Sequence, residues 1–320
     1  MSVKWPLLVL ATVFPVRLAL ASAGTDEASF LNIPVGARPA AMGNAYSALA
    51  TDAYATVSNP GGLGFLTQTQ VAAQHLSYLE SIHYEYLAFV RPVGEKSAWG
   101  ASVQYLGSGD MVRTDLQGQI LGQFSSHYAA YALSFGQRVS DRLSLGVSAK
   151  FLEAALADVH ANAFASDVGA FWKVSKAFSL ASVLSNAGTH LRFIENDGNL
   201  PLTFKVGAAY QPEKYYAATV ETQYLRSGLW SGHAGLEWRP MDLLSLRAGY
   251  RTDTRKELDV LAGFSTGMGL HLWGHEFSYA WLPYGDLGTT QYFSLVLRFG
   301  GEREERRNLI SLPNNDGSRS

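Results

Sequence analysis

The sequence predicts an all-β chain, a transmembrane antiparallel β-barrel of about 14 strands with an N-terminal plug in its lumen. Three observations carry this expectation. Apolar and polar residues alternate with a period of two in segment after segment from Gln70 onward. Aromatic side chains gather at the ends of those segments. After residue 24, no apolar run approaches the ~18 residues that a membrane helix needs.

Composition narrows the classes. The 320 residues hold 25 Lys+Arg against 27 Asp+Glu, for a net charge of -2. That balance offers no broad basic field, so no nucleic-acid partner is expected. With Cys 0, disulfides, thiolate metal sites and thiol nucleophiles are excluded together. The abundance of Gly, Tyr and Phe suits strands and tight turns.

Residues 1–23 read as a secretory signal peptide. Lys4 supplies the positive start, Leu7 to Val16 the apolar stretch, and Ala19-Leu20-Ala21 or Ala21-Ser22-Ala23 the small-x-small cleavage site. Pro15 and Arg17 interrupt the run, and an N-terminal membrane anchor is the other reading. Residues 24–69 form the expected plug segment, 70–299 the barrel, and 300–320 a polar periplasmic tail.

The alternation is regular. Leu143, Leu145, Val147, Ala149 and Phe151 share one face, while Ser144, Gly146, Ser148 and Lys150 share the other. Trp99, Ala101, Val103 and Tyr105 oppose Gly100, Ser102 and Gln104. Leu244, Leu246, Ala248 and Tyr250 oppose Ser245, Arg247 and Gly249. A strand with lipid outside and a wet lumen inside gives this pattern. A soluble sandwich gives it with the faces inverted, so further signs have to decide. Trp99, Tyr105, Trp172, Tyr210, Tyr224, Trp238, Tyr250 and Phe299 stand at segment ends, as in the aromatic girdles of a barrel. Lys150, Asp167, Lys205, Glu221, Arg247 and Arg298 fall on the polar face, and the first five are taken as lumen charges. Short connections (Pro92–Ser97, Ser175–Ala177, Pro212–Tyr215, Arg239–Asp242) alternate with longer ones (Leu106–Phe124, Glu153–Ala163, Ala187–Pro201, Pro283–Gly288). The segments run 70–78, 82–91, 98–105, 125–135, 143–152, 164–174, 178–186, 202–211, 216–225, 230–238, 244–251, 258–271, 275–283 and 290–299.

The segment before the barrel carries its own signals. Pro39 to Ala50 is small and helix-permissive, with Pro39 in a first turn. Asn59-Pro60-Gly61-Gly62 is a turn signal: Asn caps, Pro fixes φ, and the glycines permit unusual angles. Folded into the lumen, Arg38 and Asp52 would meet charges such as Glu221, Arg247 or Lys205. The plug motif is Gly36, Arg38, Gly43, Asp52, Asn59 and Pro60. A periplasmic leader with a short surface helix is the alternative.

That motif, Gly36-Ala37-Arg38 with Met42-Gly43, Ala45, Ala48, Asp52 and Asn59-Pro60-Gly61-Gly62-Leu63, resembles the N-terminal signature of PorV/PorQ-like outer-membrane proteins. These are relatives of the FadL-type long-chain fatty acid transporters. Leu246-Arg247-Ala248-Gly249-Tyr250, Tyr279-Ala280-Trp281 and Leu297-Arg298-Phe299-Gly300 extend the resemblance to the other end. The family's usual Asn-Pro-Ala is Asn-Pro-Gly here. The resemblance implies a plugged fourteen-strand barrel in the cell outer membrane. It implies either movement of hydrophobic small molecules or a type IX secretion role with secreted cargo or secretion-system proteins as partners. A simple porin is the third reading.

Other chemistry is weak. His271 and His275 have i, i+4 spacing, but they flank a hairpin rather than lie on a helix. Serines and the histidines His75, His83, His127 and His233 are present without a Gly-x-Ser-x-Gly elbow, so no enzyme is expected. No cofactor is implied.

Overall fold

The computed structural model describes residues 28–77, 82–109, 111–115, 117–157, 159–193, 196–253, 260–283 and 288–300. The expected signal peptide and the tail beyond Gly300 lie outside the described residues. No helix among the described residues is long and apolar enough to cross a membrane. Fourteen antiparallel strands close into a barrel instead.

In chain order these are β1 (Thr69–Ser77), β2 (His83–Val93), β3 (Ser97–Gly107), β4 (Ser126–Arg138), β5 (Leu143–Leu156), β6 (Val159–Lys173) and β7 (Phe178–Gly188). They continue as β8 (Thr203–Glu213), β9 (Tyr216–Leu225), β10 (Trp230–Met241), β11 (Leu244–Arg251), β12 (Phe264–Leu272), β13 (His275–Pro283) and β14 (Thr289–Phe299). Each pairs with its chain neighbours, and β1 pairs with β14 from Thr69↔Phe299 to Ser77↔Gln291. Closure leaves no free edge, which is what a hydrocarbon environment requires of a sheet.

The faces sort by chemistry. Along β5, Leu145 and Val147 are exposed while Ser144, Ser148 and Lys150 are buried. Trp99, Trp172, Tyr210, Trp238 and Phe299 stand on the outside near the short turns; Tyr105, Tyr224 and Tyr250 do so near the opposite rim. On these strands apolar side chains point outward and polar ones inward, the reverse of a soluble core; on β2 the inward face carries Tyr84, Tyr86 and Val90 instead, and Glu85 faces out. Both ends of the barrel sequence, Thr69 and Phe299, lie on the short-turn side. That is the periplasmic side of an outer-membrane barrel. Lys214 and Asp242, in adjacent short turns, stand 2.7 Å apart, and this hydrogen bond holds the ammonium pKa above its usual value.

Two expectations need correction. Glu153–Ala163 is not a long connection. β5 and β6 stay paired out to Leu156↔Val159. The apolar alternation stops there because Glu153, His160 and Asn162 occupy the outward face, where that ribbon has left the apolar band. The segment expected over 258–271 starts as a strand only at Phe264, after a 3-10 turn at Val260–Gly263.

Residues from Phe30 to Leu66 fill the lumen. A short helix, α1 (Ala37–Ala41), leans on β11 to β14, and a 3-10 helix, Pro60–Phe65, leans on β3 to β6. A second short helix, α2 (Ala55–Ser58), joins them. The helix-permissive stretch Pro39–Ala50 is helical only to Ala41. Beyond it Gly43 and Asn44 take left-handed φ of 63° and 60°, and the chain turns.

The wall accepts this segment through glycines. A Cβ on Gly136 of β4 would stand 2.6 Å from the Pro60 carbonyl oxygen, and one on Gly235 of β10 would stand 2.5 Å from that of Met42. Gly146 of β5 abuts Pro60, and Gly249 of β11 abuts the Gly43 nitrogen. Gly100 meets Thr56, Gly207 meets Ser47, and Gly267 meets Ala41. Side chains at these positions would hold plug and wall apart. Gly249→Val should therefore lower stability by about 1–3 kcal/mol through overpacking. Gly232→Ala, on the outer face with its nearest atom 4.0 Å away, should change it by no more than about 0.5 kcal/mol. Urea unfolding in detergent micelles reads both. Equal midpoints for the two variants would contradict a tightly seated plug.

Candidate functional site

The lumen holds two polar regions at different heights. The lower one, near the short turns, locks the plug. Arg38 grips Glu237 with two parallel bonds, Nε to Oε2 at 2.8 Å and Nη2 to Oε1 at 3.0 Å. Its Nη1 donates to the Tyr46 hydroxyl at 3.0 Å, and that hydroxyl donates to Asp52 Oδ2 at 2.5 Å. Arg247 bridges Glu237 and Glu276, both at 2.7 Å. Arg239 adds a contact to Glu237 at 3.1 Å and Arg298 one to Glu276 at 3.0 Å. Four guanidiniums thus face three carboxylates across β10, β11, β13, β14 and the plug. Buried charges tolerate this only because nearly every donor and lone pair is used.

Sequence reasoning found Arg38, Asp52 and Arg247 but not their partners. Arg38 and Asp52 do not meet Glu221 or Lys205. Arg38 meets Glu237, and Arg247 reaches the plug only through that same carboxylate. Glu221 instead accepts the Ser47 backbone N–H at 2.9 Å. Glu237, Glu276 and Arg298 lie on the inward faces of their strands. Alternation marks Arg298 as a polar-face charge and could have flagged Glu237 and Glu276, but not their common height.

The remaining motif residues shape the plug. Gly36, at φ 93°, turns the chain into α1 and donates its N–H to the Gln74 side chain. Gly43 donates to Ser265 Oγ at 3.1 Å, and its carbonyl stands 2.7 Å from His233 Nδ1. Asn59 is buried and fully used. Its Oδ1 accepts from Gly61 N at 2.9 Å, capping the 3-10 helix that Pro60 begins. Its Nδ2 donates to the carbonyls of Ser47 and of Ala170 on β6, each at 3.1 Å. At the lower rim Phe65 lies beneath Lys173, whose ammonium is 4.2 Å from the ring centre.

The upper region is a chamber of about 790 Å³ between the plug and the long-connection rim. Leu31, Ile33, Val35 and Val57 of the plug line it, with Lys150, Asn186, Lys205 and Gln223 on the wall. Lys150 is neutralised in place: its Nζ lies 2.6 Å from Asp167 and 2.9 Å from Asn186 Oδ1. Asp167 also accepts the Asn186 backbone N–H at 2.8 Å. That bond stabilises a bulge in β7, where pairing with β6 slips between Ser166↔Ala187 and Val168↔Leu184 and Asn186 takes φ 62°. On its other side, β7 pairs with β8 only up to Ser185↔Thr203, so its last three residues lack that neighbour.

His271 and His275 do not converge. His271 points inward to Ser245 Oγ at 2.7 Å, and His275 lies on the opposite face of the hairpin. No group of metal-ligating side chains occurs among the described residues.

A closed, plugged lumen inside an apolar outer band defines the class: an outer-membrane β-barrel of FadL-like architecture. Residues 21–179 match the family model described as type IX secretion system protein PorV, and over that stretch the chain is similar to the PorV/PorQ-like outer-membrane proteins. No curated protein matches the sequence. Among solved structures, the Pseudomonas putida toluene transporter TodX shares 13% identity, covering 82% of this chain and 96% of that one, with a TM-score of 0.57. The CymD monoaromatic hydrocarbon channel shares 13% over 84% and 98%, with a TM-score of 0.61. A Pseudomonas aeruginosa FadL homologue shares 11% over 82% and 98%, at 0.54. At such identity these likenesses show the fold.

Removing the Arg38 fork leaves Glu237 with fewer partners and the plug without its lower anchor. Arg38→Ala should lower stability by about 3–5 kcal/mol, as for other broken buried pairs. Arg38→Lys should recover less than half of that, because an ammonium cannot make the planar fork. Loss of heat-resistant mobility in electrophoresis measures both. An unchanged transition for Arg38→Ala would contradict the anchoring role.

Proposed function

We propose that the protein moves hydrophobic small molecules across the outer membrane, taking them first into the upper chamber. The observation that carries this reading is the chamber's apolar floor above a plug seated on the wall. A pocket of this size, with apolar plug side chains on its floor and polar groups around its wall, suits a small-molecule ligand. A straight axial path meets the Arg38–Glu237 lock. We place the side exit at the β7 bulge, where the β7–β8 ladder ends at Ser185↔Thr203 and Asn186 Nδ2 donates to the Pro201 carbonyl at 3.1 Å. TodX and CymD are described as a toluene transporter and a monoaromatic hydrocarbon channel, which supports the same reading here.

A second reading has its own observation. Residues Met111–Thr114 and Ile120–Phe124 form a separate ribbon beyond β3 and β4, with Val112, Ile120 and Leu121 exposed. Such a surface, with the PorV match, favours a type IX secretion-associated barrel that binds secreted cargo. Affinity isolation from solubilised membranes should then recover a secreted protein or a translocon subunit.

The chain lacks cysteine, so Ser185→Cys with Thr203→Cys gives a clean cross-strand pair. Uptake of a radiolabelled aromatic probe into proteoliposomes should fall to background when this pair is oxidised and return on reduction, with ion conductance low throughout. Uptake unaffected by oxidation, or a large constitutive conductance, would contradict the side-exit transport reading.

A further inference from the structure

The short turns at the periplasmic rim differ in charge from one side of the barrel to the other. Around the turns β2–β3, β4–β5 and β6–β7 stand Arg91, Lys96, Arg138, Arg142, Lys173 and Lys176, with only Glu95 and Asp141 against them. Around β8–β9 and β10–β11 the charges balance. There Lys214 pairs with Asp242, and Arg239 pairs with Glu237 while Glu213 stands beside Lys214. On the basic side, Lys96, Arg142 and Lys176 are exposed and make no ion pair among the described residues.

This basic arc is held together by its backbone. Arg138 N donates to the Lys96 carbonyl at 2.7 Å, and Arg138 Nη2 donates to the Glu95 carbonyl at 2.6 Å. Lys173 N donates to the Arg142 carbonyl at 2.7 Å. Neighbouring turns are thereby tied side to side, and like charges stay close despite their repulsion. An anionic partner offsets that repulsion. The surroundings of the arc say which anion. Trp99 stands in register with Arg91 and packs on Phe135 at 4.7 Å, and Trp172 precedes Lys173. These rings form the lower aromatic girdle, and such girdles sit at the level of lipid headgroups. Val93 and Val139, on the same turns, are exposed as well. A basic surface that is partly apolar and borders the girdle fits the phosphates of a bilayer leaflet better than the face of an acidic soluble protein.

We propose that the periplasmic arc from β2 to β7 binds anionic phospholipid headgroups of the inner leaflet. Lys96, Arg142 and Lys176 contact the phosphates, and Arg91 marks the lipid-facing edge of the site. The plug ends at the same place: Arg138 and Lys173 lie 5.6 and 4.2 Å from the centre of the Phe65 ring. The site is independent of what passes through the lumen.

The test uses the full chain in nonionic micelles at neutral pH. It is titrated with phosphatidylglycerol or phosphatidylcholine carrying identical brominated chains, and tryptophan quenching reports binding. Phosphatidylglycerol should bind at least about tenfold more tightly, since each surface cation contributes about fivefold. The preference should shrink at about 1 M salt, where screening is nearly complete beyond about 3 Å. Lys96→Gln/Arg142→Gln/Lys176→Gln should lose most of it. Lys214→Gln/Asp242→Asn, which removes a paired couple from the balanced side, should keep it. The substituted side chains are all exposed, so both variants should fold, and heat-resistant mobility in electrophoresis checks this. Equal affinity of the unaltered chain for the two lipids overturns the proposal and leaves the arc to an acidic periplasmic protein. A preference that survives the triple substitution, or that the control variant loses equally, overturns the assignment to this arc.

Discussion

Close contact between the plug backbone and inward-facing glycines of the wall is the constraint on which the rest of this structure depends. Gly136, Gly146 and Gly169 receive Asn59 to Gly64 on one side, while Gly235 and Gly249 receive Met42 and Gly43 on the other. Backbone meets backbone there, so polar peptide groups come within reach of each other and of wall side chains. Ser265 and His233 address Gly43, and Asn59 addresses the Ala170 carbonyl. The Arg38–Glu237 fork can form at short range only because the plug sits this deep. Without the glycines the same charges would face a gap.

This seating divides the lumen. Below it, guanidiniums and carboxylates neutralise one another in a dense network with little room for a ligand. Above it, the short helices leave Leu31, Ile33 and Val57 facing a chamber whose wall is amide, hydroxyl and charge. The bulge at Ser185–Asn186 belongs to both arrangements. Asp167 holds the bulge through the Asn186 N–H and holds Lys150 through its carboxylate. One buried side chain thereby sets the local shape of the wall and the charge of the chamber.

Much of this was legible in the sequence. Period-two alternation placed each of the fourteen strands near its observed position and put lipid and lumen on the correct faces. Lipid outside and polar groups inside is a property of single residues and their neighbours in sequence. Proximity around a barrel is not. Glu237, Glu276 and Arg298 lie on three strands, and their meeting with Arg38 depends on stagger and on the path of the plug. Alternation suggests a long connection over the Glu153–Ala163 ribbon because it reports lipid contact and falls silent where a strand continues into water. The Asn59-Pro60-Gly61 signal marks a turn. Its grip on β6 required knowing which wall backbone lay beside it.

The central claim is that the plug is packed into the wall as firmly as the strands are into each other. Hydrogen–deuterium exchange of the chain in nanodiscs measures this directly. Amides from Gly36 to Leu66 should exchange as slowly as those of β4 to β6, because both open only with the barrel. Exchange over that segment as fast as in the rim connections would contradict the account.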